Sequence, residues 1–302
     1  MSEVTDTEAA VVAYFEANDD RWSVRTRESM RDWILAAVPH IGADLNGDTI
    51  NKYLDRKRRQ GRSNNTVSLY RRALKSLCQW SEEHGYAPKG EADKIKPYSK
   101  VSPLKRDVIT HAEYLKIIEV TEINYPCLAD PFRVAYWTGL RCFDVYRLAR
   151  EHIDQAESAI IMVPHKTKRF DRRVCIPIDW NTELGETLLR HLDLAVDDVT
   201  PFFTPYGSLA HKPGANLSQV TKDIQLKAGV RKFTFHTFRR TFLTNLMNSG
   251  AAPQIATAVS GIKAPEVLMR YVVPQAEGLR RVMSEARRYT VTKEKYGSDK
   301  TI

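Results

Sequence analysis

The sequence predicts a mainly α protein of two domains, the second carrying a small antiparallel β-sheet. Three observations predict it. Apolar residues recur at helical spacing through most of the chain up to Gly85. That periodicity then fails in a basic stretch containing Pro97 and Pro103. Beyond it, two short strand-like segments flank a charged turn, and helical spacing then resumes. A chain of 302 residues is long enough to build two separate cores.

Helices are expected in the first part over residues 8–18, 23–37, 47–60 and 64–84. Asp48 is the expected cap of the third. Ser63 or Asn64 precedes the fourth, whose apolar face is Val67, Tyr70, Leu74, Leu77 and Trp80. Gly85 is placed to stop it. Between Lys94 and Arg106 the chain carries five Lys or Arg without periodicity, which reads as a basic interdomain linker over 96–106. The expected domains are therefore 1–95 and 107–290, with a polar tail over 291–302. In the second domain Thr110 caps a helix reaching Val120, and Pro131 opens another that breaks at Gly139. Strands are expected over 158–163 and 174–178 around the turn 165–172. Helices follow over 180–193, 216–228, 237–249, 252–259, 265–272 and 276–289. No internal repeat is visible.

The 42% hydrophobic and 27% charged content is that of an ordinary globular chain, which sets aside a disordered or collagen-like reading. No apolar run approaches the roughly 18 residues of a membrane span, and the acidic start lacks a signal-peptide pattern, so a cytoplasmic protein is expected. Cys78, Cys127, Cys142 and Cys175 form no CxxC pair and have no His at metal-ligand spacing; they are expected as small core residues in a reducing compartment. A net charge of +9 favours an anionic partner, nucleic acid first. Its placement says more. From Asn51 to Lys75 nine basic residues face a single acid, Asp55, whereas the first twenty residues hold six acids and no Lys or Arg. Arg56, Lys57, Arg58, Arg59, Arg62, Arg71, Arg72 and Lys75 form a stripe suited to a DNA backbone.

Two further segments carry chemistry. In Phe235-His236-Thr237-Phe238-Arg239-Arg240-Thr241-Phe242, the phenylalanines mark a buried helix face. His236 and Arg239, three positions apart, emerge together on one side. Arginine offers a permanent charge and a planar fork of donors matched to phosphate. In Thr138-Gly139-Leu140-Arg141-Cys142-Phe143-Asp144-Val145, Gly139 permits a tight bend, Arg141 falls at a helix start, and Asp144 stands one turn on.

These motifs occur in order with a Lys-bearing turn, Gly261-Ile262, and Tyr271 nine residues further, and the set resembles the tyrosine recombinase (phage integrase) family. The resemblance covers nearly the whole chain and is sharpest from about Val108 to Arg288. It implies a C-shaped clamp around duplex DNA, formed by a helical core-binding domain and a mixed catalytic domain. It also implies a site-specific recombinase that cuts and rejoins DNA through a 3′-phosphotyrosyl link, using neither ATP nor metal and no other cofactor. Tyr271 would be the nucleophile, with Tyr289 as fallback. Arg141 and Arg239 would grip the non-bridging oxygens, His236 would donate a hydrogen bond or accept a proton, and Asp144 would brace the site. Lys166 matches the family's general acid, with Lys168 competing for the role. Lys168 and Arg169 would in any case touch DNA. The helix over 276–289 would pack on a neighbouring protomer, giving a dimer on inverted half-sites and a tetramer in the synapse.

Position 262 departs from the family pattern, which places His or Trp after the glycine. Ile262 has no side-chain donor, and loss of such assistance is worth roughly 10²–10⁴ in rate when nothing replaces it. The expectation is an active enzyme, slow or tightly regulated. Three other readings stay open: a family-derived DNA-binding protein with decayed catalysis, a type IB topoisomerase-like relaxing enzyme, and a phosphate-ester hydrolase with no nucleic-acid role. Target sequence, crossover spacing, and integration versus excision or resolution do not follow from these residues.

Overall fold

The structure is a computed structural model and describes residues 6–98, 108–165, 173–203 and 217–262, with Leu268 and Ser284 besides. Expected features at Lys166, Lys168, Arg169, Tyr271 and Tyr289 lie outside the described residues. So do those at 265–272, 276–289 and 291–302, apart from Leu268 and Ser284. The chain divides into two compact units, Met1–Leu104 and Lys105–Ile302.

Among its described residues the first unit is all helical: α1 (Asp6–Asn18), α2 (Val24–Leu35), α3 (Val38–Ile41), α4 (Gly47–Arg59), α5 (Asn64–Glu83) and α6 (Glu91–Lys94). Helix α5 is its centre, because its face of Val67, Leu74, Leu77 and Cys78 is fully buried against Tyr14, Ile34, Ile50 and Leu54. Ser63 caps α5, its Oγ accepting the Thr66 N–H. The cap of α4 is Asn46 and not Asp48: the Asn46 Oδ1 accepts the Thr49 N–H at 2.9 Å, while Asp48 already lies inside the first turn. Gly47 is needed there, since a Cβ would meet the Glu91 carbonyl oxygen at 2.5 Å.

The segment after α6 is tied to the same unit. The Asn51 side chain donates to the Lys94 carbonyl at 2.9 Å and accepts the Lys96 N–H at 3.0 Å. The Arg71 Nε donates to the Lys96 carbonyl at 2.7 Å, and its Nη2 to that of Ile95. The Tyr98 hydroxyl donates to Asp55. Ile95 is buried.

The second unit contains α7 (His111–Asn124), α8 (Pro126–Thr138), α9 (Cys142–Val145), β1 (Ile153–Asp154), β2 (Ala159–Met162), β3 (Val174–Pro177), α10 (Glu183–Leu194), α11 (Leu217–Ala228), α12 (Phe235–Asn248) and α13 (Pro253–Ser260). Its centre is α8, which packs on α7, α10 and α12. Phe132 of α8 sits among Phe233, Phe235 and Phe238, and Tyr136 stacks on Tyr114 of α7 at 3.8 Å. This helix starts at Pro126 rather than Pro131. Pro126 takes the first helical position, where a missing N–H costs nothing, and Pro131 lies inside.

The strands form a sheet in the order β1–β2–β3, antiparallel throughout, with Ile160 opposite Ile176. Two-residue β1 was too short to show alternation. Along β3, Val174 and Ile176 face the core while Cys175 and Pro177 face out. That alternation corrects the expectation of four core thiols: only Cys78 is buried, Cys142 is partly covered, and Cys127 and Cys175 are exposed. The capping box of α12 uses Thr234 and Thr237, so the helix begins two residues earlier than expected. Among the described residues no helix is long and apolar enough to cross a membrane.

Beside α8 lies a polar cluster. Arg133 donates to Asp130, Glu122 and Glu183, and Asp130 also pairs with Arg190 and His191. Burial pushes the Asp130 carboxyl up, but hydrogen bonds from His191 and Arg133 outweigh it and hold the pKa at about 2. Because the folded-state value is depressed, this carboxylate contributes stability that is present above its unfolded pKa of about 3.9 and lost as pH falls toward 2. Asp130→Asn is expected to remove about 2 kcal/mol of the acid-dependent loss between roughly pH 4 and pH 2, read from urea unfolding across that range. An unaltered acid slope would place the sensitivity in other carboxylates.

Candidate active site

The motif around Arg141 begins where α8 stops. Gly139 closes the helix at φ +64°, and a Cβ there would lie 2.4 Å from a ring carbon of Phe242 on α12. Glycine thus serves both the left-handed turn and the close approach of the two helices. The Thr138 Oγ1 accepts the Leu140 N–H, holding the turn shut. Arg141 follows in extended conformation as the residue before α9. Its side chain is partly exposed, and its buried Nη1 has no hydrogen-bond acceptor among the described residues.

Asp144 stands one turn on, as expected, and its carboxylate is almost wholly buried. One oxygen accepts the His165 N–H at 2.9 Å; the other lies 4.0 Å from the Arg141 Nη1. The acid therefore braces the start of the β2–β3 turn while standing close to the first arginine. Cys142 is no competing nucleophile: burial, reinforced by Asp144, pushes its thiol up to about 11.

Arg239 is 1% exposed on α12. Its Nη1 donates to the Gly139 carbonyl and its Nη2 to the Ser260 carbonyl, each at 2.7 Å. One guanidinium thus joins the turn that carries Arg141 to the end of α13. His236, one turn earlier on α12, is exposed. The spacing predicted that pair on one helix; it did not predict that Arg239 would use two donors on backbone carbonyls.

Helix α13 ends at Gly261, at φ +63°, where a Cβ would sit 3.2 Å from both Pro164 and Val174. The sheet and the Gly261-Ile262 motif are therefore in contact. Ile262 is buried with Leu243, Ala256 and Leu268, flanked by Phe242, Leu246 and Met247. Its side chain fills an apolar cluster, and its N–H donates to the Ser260 Oγ. The motifs at 138–144, 236–239 and 260–262 converge, although they are some hundred residues apart in sequence at the extremes.

The basic stripe belongs to the first unit. Arg56, Arg58, Arg59, Arg62 and Arg72 are exposed. Lys57 lies over the rings of Tyr53 and Tyr70 at 5.2 and 5.6 Å. Arg71 is spent on the carbonyls after α6, and Lys75 pairs with Asp93. Sequence reasoning passed over Arg147, which also faces Asp144; its i+3 spacing was the available signal. Among the described residues no group of three or more His, Cys, Asp or Glu is placed to hold a metal ion.

The chain is similar to known proteins in sequence and in fold. The profile described as the phage integrase family matches residues 107–277. The chain is 26% identical over 249 residues to tyrosine recombinase XerA of Thermococcus onnurineus (strain NA1), covering 82% of this chain and 84% of that protein. In fold it is similar to a lambda integrase tetramer bound to a Holliday junction. That match has TM-score 0.70 at 17% identity, over 88% of this chain and 76% of the other. It is also similar to the Tn1549 transposon integrase in complex with a circular intermediate DNA. There the TM-score is 0.67 at 14% identity, over 94% and 100%.

The two arginines differ in structural duty, and stability measurements should separate them. Arg239→Ala is expected to lose about 3 kcal/mol in denaturant unfolding, since it leaves two buried carbonyls unpaired beside a cavity. Arg141→Ala should stay within about 0.5 kcal/mol of the parent. Equal losses would contradict the tie described for Arg239.

Proposed function

The chain belongs to the phage integrase family of tyrosine recombinases, and on that premise we propose that it cuts and rejoins duplex DNA at specific sites through Tyr271. The Tyr271 hydroxyl attacks the scissile phosphorus, the bond from phosphorus to the 5′-oxygen breaks, and a 3′-phosphotyrosyl link forms. Tyr271 gives up its proton to His236 acting as base, and the leaving 5′-oxygen takes one from Lys166 or Lys168. The link conserves the ester's energy, so a 5′-hydroxyl from another strand reverses the step without ATP or metal. Arg141 and Arg239 place positive charge where the pentacovalent transition state gains negative charge, and His236 supplies a further donor.

The observation that carries this reading is the double hydrogen bond of Arg239, which brings the Arg141 turn and the end of α13 to one place. A partly exposed arginine whose guanidinium is not hydrogen-bonded through its Nη1 is a ready partner for phosphate. In this reading the two units clamp the duplex, joined by the basic linker over 96–106. Protomers pair on inverted half-sites and assemble as four, with the helix over 276–289 reaching the neighbour. The lambda integrase tetramer on a Holliday junction supports that stoichiometry. A DNA-binding protein with decayed catalysis is the second reading, favoured by the apolar burial of Ile262 where a donor is expected.

Nicked duplexes drawn from the DNA flanking the gene should trap the wild-type chain covalently, seen as a gel-shifted adduct resistant to denaturant. Tyr271→Phe should give none. An adduct in that variant would move the nucleophile to another residue, and no adduct with any flanking duplex would favour the second reading.

Salt dependence tests the basic stripe. Arg58→Ala or Arg59→Ala should each lower the slope of log affinity against log salt by about 1, as expected for one lost phosphate contact. Arg71→Ala, whose donors already serve the protein's own backbone, should leave that slope unchanged. A slope drop in the Arg71 variant equal to the others would place it on DNA.

A further inference from the structure

We infer that Arg147, aided by the ring of Phe143, is a positioning residue for the general acid of the β2–β3 turn, holding residues 163–165 in place just before Lys166. The inference rests on the function proposed above. Arg147 follows α9 by two residues. Its Nη1 lies 3.5 Å from the Val163 carbonyl oxygen and 3.7 Å from the Asp144 Oδ1. The same Asp144 oxygen accepts the His165 N–H at 2.9 Å. A guanidinium and a carboxylate, themselves paired, therefore hold the two ends of a three-residue limb. Pro164 between them is buried and approaches Gly261. Phe143 is 56% exposed, and its ring centroid lies 4.4 Å from that of His165, so the ring covers one side of the limb.

Charge gives Arg147 a second effect on the same chemistry. The nearly buried Asp144 carboxylate needs a cation, and two arginines stand within reach of it. As a charge partner, Arg147 keeps the Asp144 carboxylate seated where it accepts the His165 N–H. Without Arg147, both holds on the limb would loosen.

The test compares two forms of the flanking duplex that traps the wild-type chain, one with the ordinary 5′-bridging oxygen at the scissile phosphate and one with sulfur there. A thiolate leaves without a proton, so the sulfur form bypasses any general acid. On the oxygen form, Arg147→Ala is expected to cut roughly 10²-fold more slowly than wild type, as misplacement of a catalytic group costs. On the sulfur form its rate should come within about threefold of wild type, and Arg147→Lys should regain about tenfold on the oxygen form. A misfolded variant would fail on both forms. Equal loss on both, or no loss on the oxygen form, overturns the inference while Lys166→Ala or Lys168→Ala is itself rescued by sulfur. If sulfur rescues neither lysine variant, or no duplex traps the wild-type chain, the function proposed above falls and takes the role of Arg147 with it.

Discussion

One buried guanidinium organises the second unit. Arg239 ties the carbonyl at the end of α8 to the carbonyl at the end of α13, and both helices end there in left-handed glycines. Arginine is suited to this because its planar fork reaches two acceptors at once without rotating. Each carbonyl belongs to the last turn of a helix, where no intrahelical donor is available. The guanidinium thus satisfies two helix ends while setting a fixed positive charge beside Arg141. A lysine could meet one of these carbonyls well, but not both in the same plane.

Around that tie, close approaches replace long side chains. Gly139 lets α12 press Phe242 against the end of α8, and Gly261 lets the sheet press Pro164 and Val174 against the end of α13. The phenylalanine cluster of Phe132, Phe233, Phe235 and Phe238 fills the space behind. A site assembled from backbone turns on a packed aromatic core has little freedom to drift, and positional accuracy of that kind is what charge stabilisation in a transition state requires. Asp144 extends the same logic to the sheet, since it accepts the His165 N–H instead of leaving the β2–β3 turn to find its own course.

Local relations were legible in the sequence and long-range ones were not. The nearness of Arg141 to Asp144 follows from their three-residue spacing, the placement of His236 and Arg239 on one helix from the phenylalanine periodicity around them, and Gly139 as a helix stop from its freedom at positive φ. The short apolar run that marked β2 and the alternation along β3 were equally local, while β1 had too few residues to display either. Nothing in one dimension could indicate that Arg239 would meet Gly139 and Ser260, or that Arg71, within a basic run, would turn onto the Ile95 and Lys96 carbonyls. Composition treats all arginines alike; burial and backbone geometry separate a tie from a free surface charge. The choice of Asn46 over Asp48 shows the same limit at short range, because a cap is decided by backbone angles at one residue.

The apolar pocket that receives Ile262 also takes Leu268, three residues before Tyr271. Apolar contact thus holds the chain at Ile262 and Leu268, whereas in the proposed function charge grips the duplex. These two holds obey different laws. Added electrolyte loosens a grip on phosphate, yet strongly hydrated anions such as sulfate tighten hydrophobic mooring. Ionic conditions that weaken a hold on phosphate would therefore leave Ile262 and Leu268 seated against Leu243 and Ala256.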